Sequence, residues 1–398
     1  MLVGLKQAND SVPKVGAKRP TLNVQFRSGS ASRILEIETL DVDRRAFDVL
    51  QLNTPLVESI RETIRARGPQ SFDWFMQQAL YHPEHGYYSS GRCAIGRKGD
   101  YFTNVSVGPL FGQLLAWQFS EIWERLSKMS DFVIVEQGAH DGQFALDVLE
   151  FVQKRLPKLF DALRYRILEP FPILEAQQRQ RLEAFGDKVE WRESLEPFTG
   201  VHFSNELLDA MPVRLIRGGM EKLVALDGDK FVFIELPVDK RLFNQAALES
   251  IDQIAANLQR GYAIAIDYGF LDEEFESTVQ VRARHRNLDS PFEQIGNADI
   301  TMSVHWRSIV ERAQANGLRV TGFTDQHHFL TGIISQSESG DRGQSLLADS
   351  RKAKRELQTL LHPEMLGRGF QVLALTKNVD PGASRLAGFK FARESRFS

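Results

Sequence analysis

Apolar positions recur in two rhythms along this chain, and the switch between them falls near residue 130. Before it the spacing is helical. Leu56, Ile60 and Ile64 lie four apart in TPLVESIRETIRARG (54–68), which Thr54-Pro55 starts and Gly68 stops. A second helix is predicted over SFDWFMQQALYHP (71–83), capped by Ser71 and ended at Pro83. A third, long and amphipathic, spans 109–129. From 132 onward short apolar runs alternate with helical stretches. FVIVEQ, YRILE, VEW, VHFSNELL, YAIAIDYG, RVTGFTD and FQVLALTK read as strands one to seven. Strands separated by helices predict an α/β fold with a mostly parallel sheet, because parallel neighbours need crossover connections. Two insertions break the rhythm: alternating runs around DGDK (227–230), read as a β-hairpin, and a polar, loop-like stretch at 270–300.

The expected organisation is therefore an N-terminal extension (1–53), a helical cap (54–130), a core domain (131–377) with insertions at 213–250 and 270–300, and a tail (378–398). The first 33 residues carry six Lys and Arg against one Asp, which invites comparison with a transit peptide. VPKVGAKRP has no helical apolar face, so a poorly ordered extension or a misplaced start is the reading adopted. The basic stretch after Lys377 also reads as poorly ordered.

Composition narrows the function. A net charge of −3 gives no electrostatic case for nucleic acid. No apolar run reaches the ~18–20 residues of a membrane span. The single cysteine, Cys93, excludes an intrachain disulfide and a Cys-rich zinc site and points to a reducing compartment. The cytoplasm, a bacterial cytosol in particular, is the expected location, with mitochondria as the alternative. The nine histidines show no H-x-x-x-H or H-E-x-x-H, so no metal is expected.

Candidate chemistry lies where strands end. Strand one runs through Glu136 into QGAHDG, where Gly138 and Gly142 allow a tight turn and close approach of backbone to a ligand. Strand two ends on Glu169, a carboxylate able to accept both hydroxyls of a ribose. Together they predict a nucleoside pocket at the carboxyl edge of the sheet. The spelling is not G-x-G-x-x-G, which opposes a nicotinamide-dependent oxidoreductase.

The ordered set YHPEHGYY (81–88), GDYFTNVSVGPLFG (99–112), FVIVEQGAHDG (132–142), RILE (166–169), SNELLDAMP (204–212), AIDYG (265–269) and ADIT (298–301) resembles the MidA-like family of S-adenosylmethionine-dependent methyltransferases. The mitochondrial members of that family methylate an arginine on a respiratory complex I subunit. The resemblance covers roughly 56–376 and implies a Rossmann-like class I methyltransferase sheet of seven mostly parallel strands, the last antiparallel, with an N-terminal helical layer and hairpin or loop insertions. It implies S-adenosylmethionine as cofactor and a protein side chain as acceptor; an oligomeric state is not specified. Cofactor contacts are expected from Gly99, Asp100, Thr103, Glu136, Gly138, Gly142, Glu169 and Asn205. Glu206 and Asp209 are expected to face the donor methyl, with His285 the general-base candidate outside strand four. Gly112, Gln326, Phe329 and Leu330 also match.

Four departures stand out. His140 replaces a family glycine, Ser106 a glutamate, Gln280-Val281 an Arg-Gly pair, and Ser303 and His305 two aspartates. If the lost carboxylates held a cationic substrate, this chain prefers another acceptor and handles the complex I subunit peptide poorly. The same changes support the alternative of a non-catalytic assembly or binding protein, against which the retained NELLDAMP weighs.

Overall fold

The alternating part of the chain closes into one sheet in the computed structural model, which describes residues 54–91, 93, 103–238, 244–271, 279–284, 286–339, 350–380 and 385–393. Its strands are β1 (Phe132–Gln137), β2 (Leu163–Leu168), β3 (Val189–Arg192), β4 (Phe198–Asn205), β5 (Leu258–Phe270), β6 (Arg319–Asp325) and β7 (Phe370–Lys377). Their spatial order is β3-β2-β1-β4-β5-β7-β6. β1 pairs in parallel with β2 on one side and β4 on the other, so the winding reverses there. That reversal leaves a crevice beyond the carboxyl ends of β1 and β4. β7 is inserted antiparallel between β5 and β6, as expected for the last strand. A two-residue strand, Val304–His305, extends the end of β5.

The helices are α1 (Pro55–Arg67), α2 (Phe72–Tyr81), α3 (Asn104–Val107), α4 (Leu110–Arg125), α5 (Gln143–Arg155), α6 (Pro157–Ala162), α7 (Pro172–Arg181), α8 (Gln245–Asn257), α9 (Trp306–Ala315), α10 (Gln326–Ser339) and α11 (Arg351–Leu361). None of the described helices is long and apolar enough to cross a membrane. Both faces of the sheet are covered, which is why its strands read as continuous apolar runs. Phe132 and Ile134 of β1 join Phe119, Phe144 and Phe203 on one face, under α4 and α5. Val133 and Val135 join residues of α8 and α9 on the other. Gly112 allows α4 to lie against α5; a Cβ there would come within 2.6 Å of the Asp147 Cβ.

α1 and α2 contribute to a second core. Leu56, Ile60, Phe72 and Phe75 pack with Val224 and Phe231 of the predicted hairpin and with Val281 and Ile300. The hairpin is present as Met220–Asp227 and Lys230–Pro237, joined by Gly228-Asp229. Gln70–Ser71 adds to its other edge. Ser71 precedes α2, but its hydroxyl donates to the Asp73 carboxylate rather than accepting a helix N–H.

Two further sequence expectations fail on local detail. The 270–300 insertion is not simply loop: Gln280–Ala283, Arg286–Asn287 and Asp299–Thr301 form a small antiparallel sheet that buries Val281, Ala283 and Ile300. Strands of two to four residues are too short to show a period. Within the expected poorly ordered tail, residues 385–393 dock on the main core. Phe389 is fully buried and its ring centroid lies 5.2 Å from that of Phe329. The Gly388 N–H donates to Gln118 Oε1 and the Ala387 N–H to Glu121 Oε2, each at 2.9 Å. Apolar LAGF outweighs the basic residues around it.

Candidate active site

After β1 the backbone passes through Gly138, His140 and Gly142 at φ +83°, +48° and +81°. Three left-handed residues in five roll the chain into a turn that opens α5, where the Gln143 N–H donates to Asp141 Oδ1 at 3.1 Å. A Cβ on Gly138 would also come within 3.2 Å of Leu207. His140 holds this conformation with a side chain, at a cost of about 1 kcal/mol. Its ring Nε2 lies 3.4 Å from the Cys93 carbonyl oxygen. Burial disfavours its cation, but Asp141 and Cys93 outweigh that and raise its pKa to about 10.

Glu169 follows β2 directly. Its Oε1 accepts from the Phe171 N–H at 3.0 Å and its Oε2 from Gln178 Nε2 at 2.8 Å. Burial raises its pKa above the usual carboxylate value, while both donors pull it down. Gln178, on α7 and fully buried, also donates to the His140 carbonyl at 2.7 Å and accepts from Trp191 Nε1 at 3.0 Å. One amide therefore ties together the segments that follow β1 and β2 and the strand β3. Its position in a charged helix, PILEAQQRQR, hid it from the sequence reading.

At the end of β4 the backbone turns through Glu206, again left-handed at φ +53°. Glu206 Oε1 accepts from the Asn104 N–H at 3.2 Å and from Asn205 Nδ2 at 2.9 Å. Asn104 Nδ2 donates to Asn205 Oδ1 at 2.9 Å, and Gln326 Nε2 donates to Asn104 Oδ1 at 2.8 Å. The next residues are organised by Asp267 at the end of β5. Its Oδ2 accepts the N–H groups of Leu207, Leu208 and Asp209 at 3.1, 2.8 and 3.3 Å. Asp267→Ala should strand these donors and lower the unfolding free energy by about 3 kcal/mol, read from a denaturant titration. An unchanged midpoint would remove Asp267 from this organising role.

Four carboxylates thus gather at the ends of β4 and β5: Glu206, Asp209, Asp267 and Asp299. Asp209, Asp267 and Asp299 are buried. Desolvation pushes Glu206 to about 8, against the hydrogen bonds it accepts, and Asp267 and Asp299 push the same way. Desolvation likewise raises Asp267 to about 7, against its four backbone donors. Asp209 rises well above its ordinary value, through burial and then the charges of Asp267, Asp299 and Glu206. Its Oδ1 accepts no hydrogen bond.

Several expected contacts fall elsewhere. Gly99, Asp100 and His285 lie outside the described residues. Glu136 is buried and accepts from the Tyr165 hydroxyl at 2.6 Å; burial pushes its pKa to about 8. Thr103 Oγ1 accepts from the Ser106 N–H, while Ser106 Oγ accepts from the Thr103 N–H, a reciprocal cap on α3. Ser106 therefore keeps the capping geometry that a glutamate at this spacing provides. Gln280 accepts from Arg282 within the small sheet, and the His305 ring lies 5.2 Å from Phe270. None of these three takes a carboxylate from the cluster. Asn104, Gln178, Asp267 and Asp299 went unassigned, although GDYFTN, AIDYG and ADIT had already marked three of them.

A reversing sheet in this strand order, with a glycine turn after β1 and a carboxylate after β2, defines a class I methyltransferase architecture. A family model described as "Putative S-adenosyl-L-methionine-dependent methyltransferase" matches residues 114–324, and the chain belongs to that family. It is 26% identical to the "Protein arginine methyltransferase NDUFAF7 homolog, mitochondrial" of Drosophila melanogaster over 382 residues, covering 81% of this chain and 85% of the relative. The human protein arginine methyltransferase NDUFAF7 is 23% identical, with 87% of each chain covered. A crystal structure from Burkholderia thailandensis bound to S-adenosyl-homocysteine superposes with a TM-score of 0.74 at 29% identity, covering 85% of this chain and 95% of the other. The protein is an S-adenosylmethionine-dependent methyltransferase.

Proposed function

We propose that the enzyme methylates a cationic nitrogen of a protein side chain, with arginine the acceptor. The observation that carries this reading is the cluster of half-buried Glu206 with buried Asp209, Asp267 and Asp299, in which Glu206, Asp209 and Asp267 have raised proton affinities and Asp209 Oδ1 accepts no hydrogen bond. Crowded, desolvated carboxylates are costly to ionise together, and a planar guanidinium supplies both charge and a fork of donors. A neutral acceptor would leave Glu206 and Asp267 favouring their protonated forms. The relatives named as protein arginine methyltransferases point the same way.

The residues that would hold S-adenosylmethionine are Glu169, at the ribose, and the Gly138–Gly142 turn, beneath the methionine portion. They suit it: a carboxylate beside a left-handed turn whose N–H groups open a helix. Asn205 and Thr103, the other expected contacts, are each already bonded to a neighbour. When bound, the cofactor supplies a methyl group made electrophilic by a sulfonium. Asp209 then orients the acceptor nitrogen through its unpaired oxygen, and Glu206 takes the proton that nitrogen loses. Asn104 and Gln326 hold Asn205 and Glu206 in place.

Methyl-labelled cofactor, offered with peptides that differ only in one arginine, lysine or glutamine, tests the reading. Methylarginine is the expected product; transfer to the neutral peptide alone would overturn it. A linked result follows from the proton affinities. Glu206 and Asp267 hold protons that a bound cation would displace, so acceptor affinity should rise with pH from about 6 to 8, by up to roughly tenfold per pH unit for each proton released. Titration calorimetry in buffers of different ionisation enthalpy measures that release. A cation bound without proton release would contradict the proposed pairing.

A further inference from the structure

Helix α11 buries an unexpected residue. RKAKRELQTLL carries four exposed cations and one acid, and the acid, Glu356, is the charge withdrawn from water. Its Oε2 accepts from the Leu110 N–H at 3.1 Å, across 246 positions of sequence, and so caps the start of α4. Its Oε1 accepts no hydrogen bond, and exposed Lys352 stands 3.8 Å away. The carboxylate fills the space beside Gly108, the residue that ends α3. Gly108 lies at φ +146°, and a Cβ there would collide with the Glu356 carboxyl group.

The other end of α11 reaches α3 as well. The Leu360 carbonyl accepts from Gln326 Nε2 at 3.2 Å, and the same amide donates to Asn104 Oδ1. Asn104 in turn holds Glu206 through its N–H and Asn205 through its side chain. α3 is only four residues long. The reciprocal cap between Thr103 and Ser106 makes it one rigid turn, but a single turn of helix has no fixed place without ties from outside. α11 supplies two such ties, one at Gly108 and Leu110 and one at Asn104.

We infer that α11 is the clamp that sets α3 against Glu206, and that Glu356 is a positioning residue for methyl transfer. The inference rests on the reading of Glu206 as proton acceptor and adds the element that keeps it aligned. Without the clamp, Asn104 would withdraw its N–H from Glu206, and that N–H favours the ionised carboxylate. Burial, then Asp267 and Asp299, would go on raising the proton affinity of Glu206. Asn205 would stay as its donor, with Asp209 and Tyr268 alongside. Glu206 should then keep its proton to higher pH.

The pH dependence of kcat on an arginine peptide in Glu356→Ala, Glu356→Gln and Gln326→Leu tests this, with S-adenosyl-homocysteine affinity and the thermal midpoint as companion measurements. Wild-type turnover should rise with pH as Glu206 gives up its proton. Glu356→Ala should lower kcat at neutral pH by about tenfold, with cofactor-product affinity held. It should also move the rise upward by about 0.5–1 pH unit, the scale of one hydrogen bond. Glu356→Gln keeps an oxygen for the Leu110 N–H and should recover most of that loss. Gln326→Leu cuts the second tie with Glu356 intact and should shift the rise the same way, so the outcome does not depend on the folding of Glu356→Ala. A lowered midpoint with kcat and pH profile unmoved would reduce α11 to packing and overturn the inference alone. So would a loss of S-adenosyl-homocysteine affinity as large as the loss in kcat. A rise that persists unchanged in Glu206→Gln would remove Glu206 as proton acceptor, and this inference with it.

Discussion

Asp209→Asn should lower methyl transfer by about a hundredfold while leaving S-adenosyl-homocysteine affinity within about threefold, the scale of a lost positioning and proton-transfer group. The amide keeps the shape of the side chain and removes the charge that would pair with the acceptor. Glu206→Gln should fall less in acceptor binding and comparably in turnover, because its proposed task is to take the proton. Asp209 and Glu206 share one cluster, so the double variant should lose less than the product of the two single losses. Single-turnover rates at saturating acceptor separate these effects from weakened binding. If both amide variants turn over at the wild-type rate, the two residues serve only the turn that Asp267 organises.

The second large effect is expected at Glu169. Its carboxylate is half satisfied by a backbone N–H and by Gln178, and a ribose would accept the exchange of one donor for another. Removing a charged hydrogen-bonding partner should weaken cofactor binding by ~1.5–3 kcal/mol, or about ten- to a hundredfold. Calorimetry of Glu169→Ala with S-adenosyl-homocysteine measures this directly. Gln178→Leu provides the companion experiment, because it removes the donor that aims Glu169 without touching the carboxylate itself. It should weaken binding less than Glu169→Ala. Equal affinities in wild type and Glu169→Ala would displace the ribose from this position.

Much of the sheet could be read in advance because burial on both faces leaves a continuous apolar signature. FVIVEQ, RVTGFTD and FQVLALTK match β1, β6 and β7 end to end. The glycine turn was legible for a similar reason: few residues other than glycine tolerate its backbone. Polar partners were harder to see, because their role depends on what lies opposite. Asp267 reads as a carboxylate at a strand end, equally suited to ligand or structure, until three N–H groups are found converging on it. Gln178 looks like one more polar residue on a solvated helix. The substitutions at Ser106, Gln280 and His305 suggested a weakened hold on cations. Yet the carboxylates that matter follow β4 or lie in β5 and the ADIT strand, which the chain keeps. α11 escaped notice because RKAKRELQTLL buries little beyond Glu356 and Leu360, too few positions to make a period.

The placement of β7 between β5 and β6 governs the order in which the molecule can be assembled during synthesis. β6 is made first but among the described residues pairs only with β7, and β7 also covers the open edge of β5. Until residue 377 has left the ribosome, two long strand edges face solvent with their hydrogen-bonding groups unmatched. A nascent chain in that state is a target for chaperones and for other exposed strands. Truncations ending between 326 and 369 should therefore aggregate, although they retain Glu169, Glu206, Asp209, Asp267 and Asp299 and so every carboxylate assigned here to cofactor or acceptor.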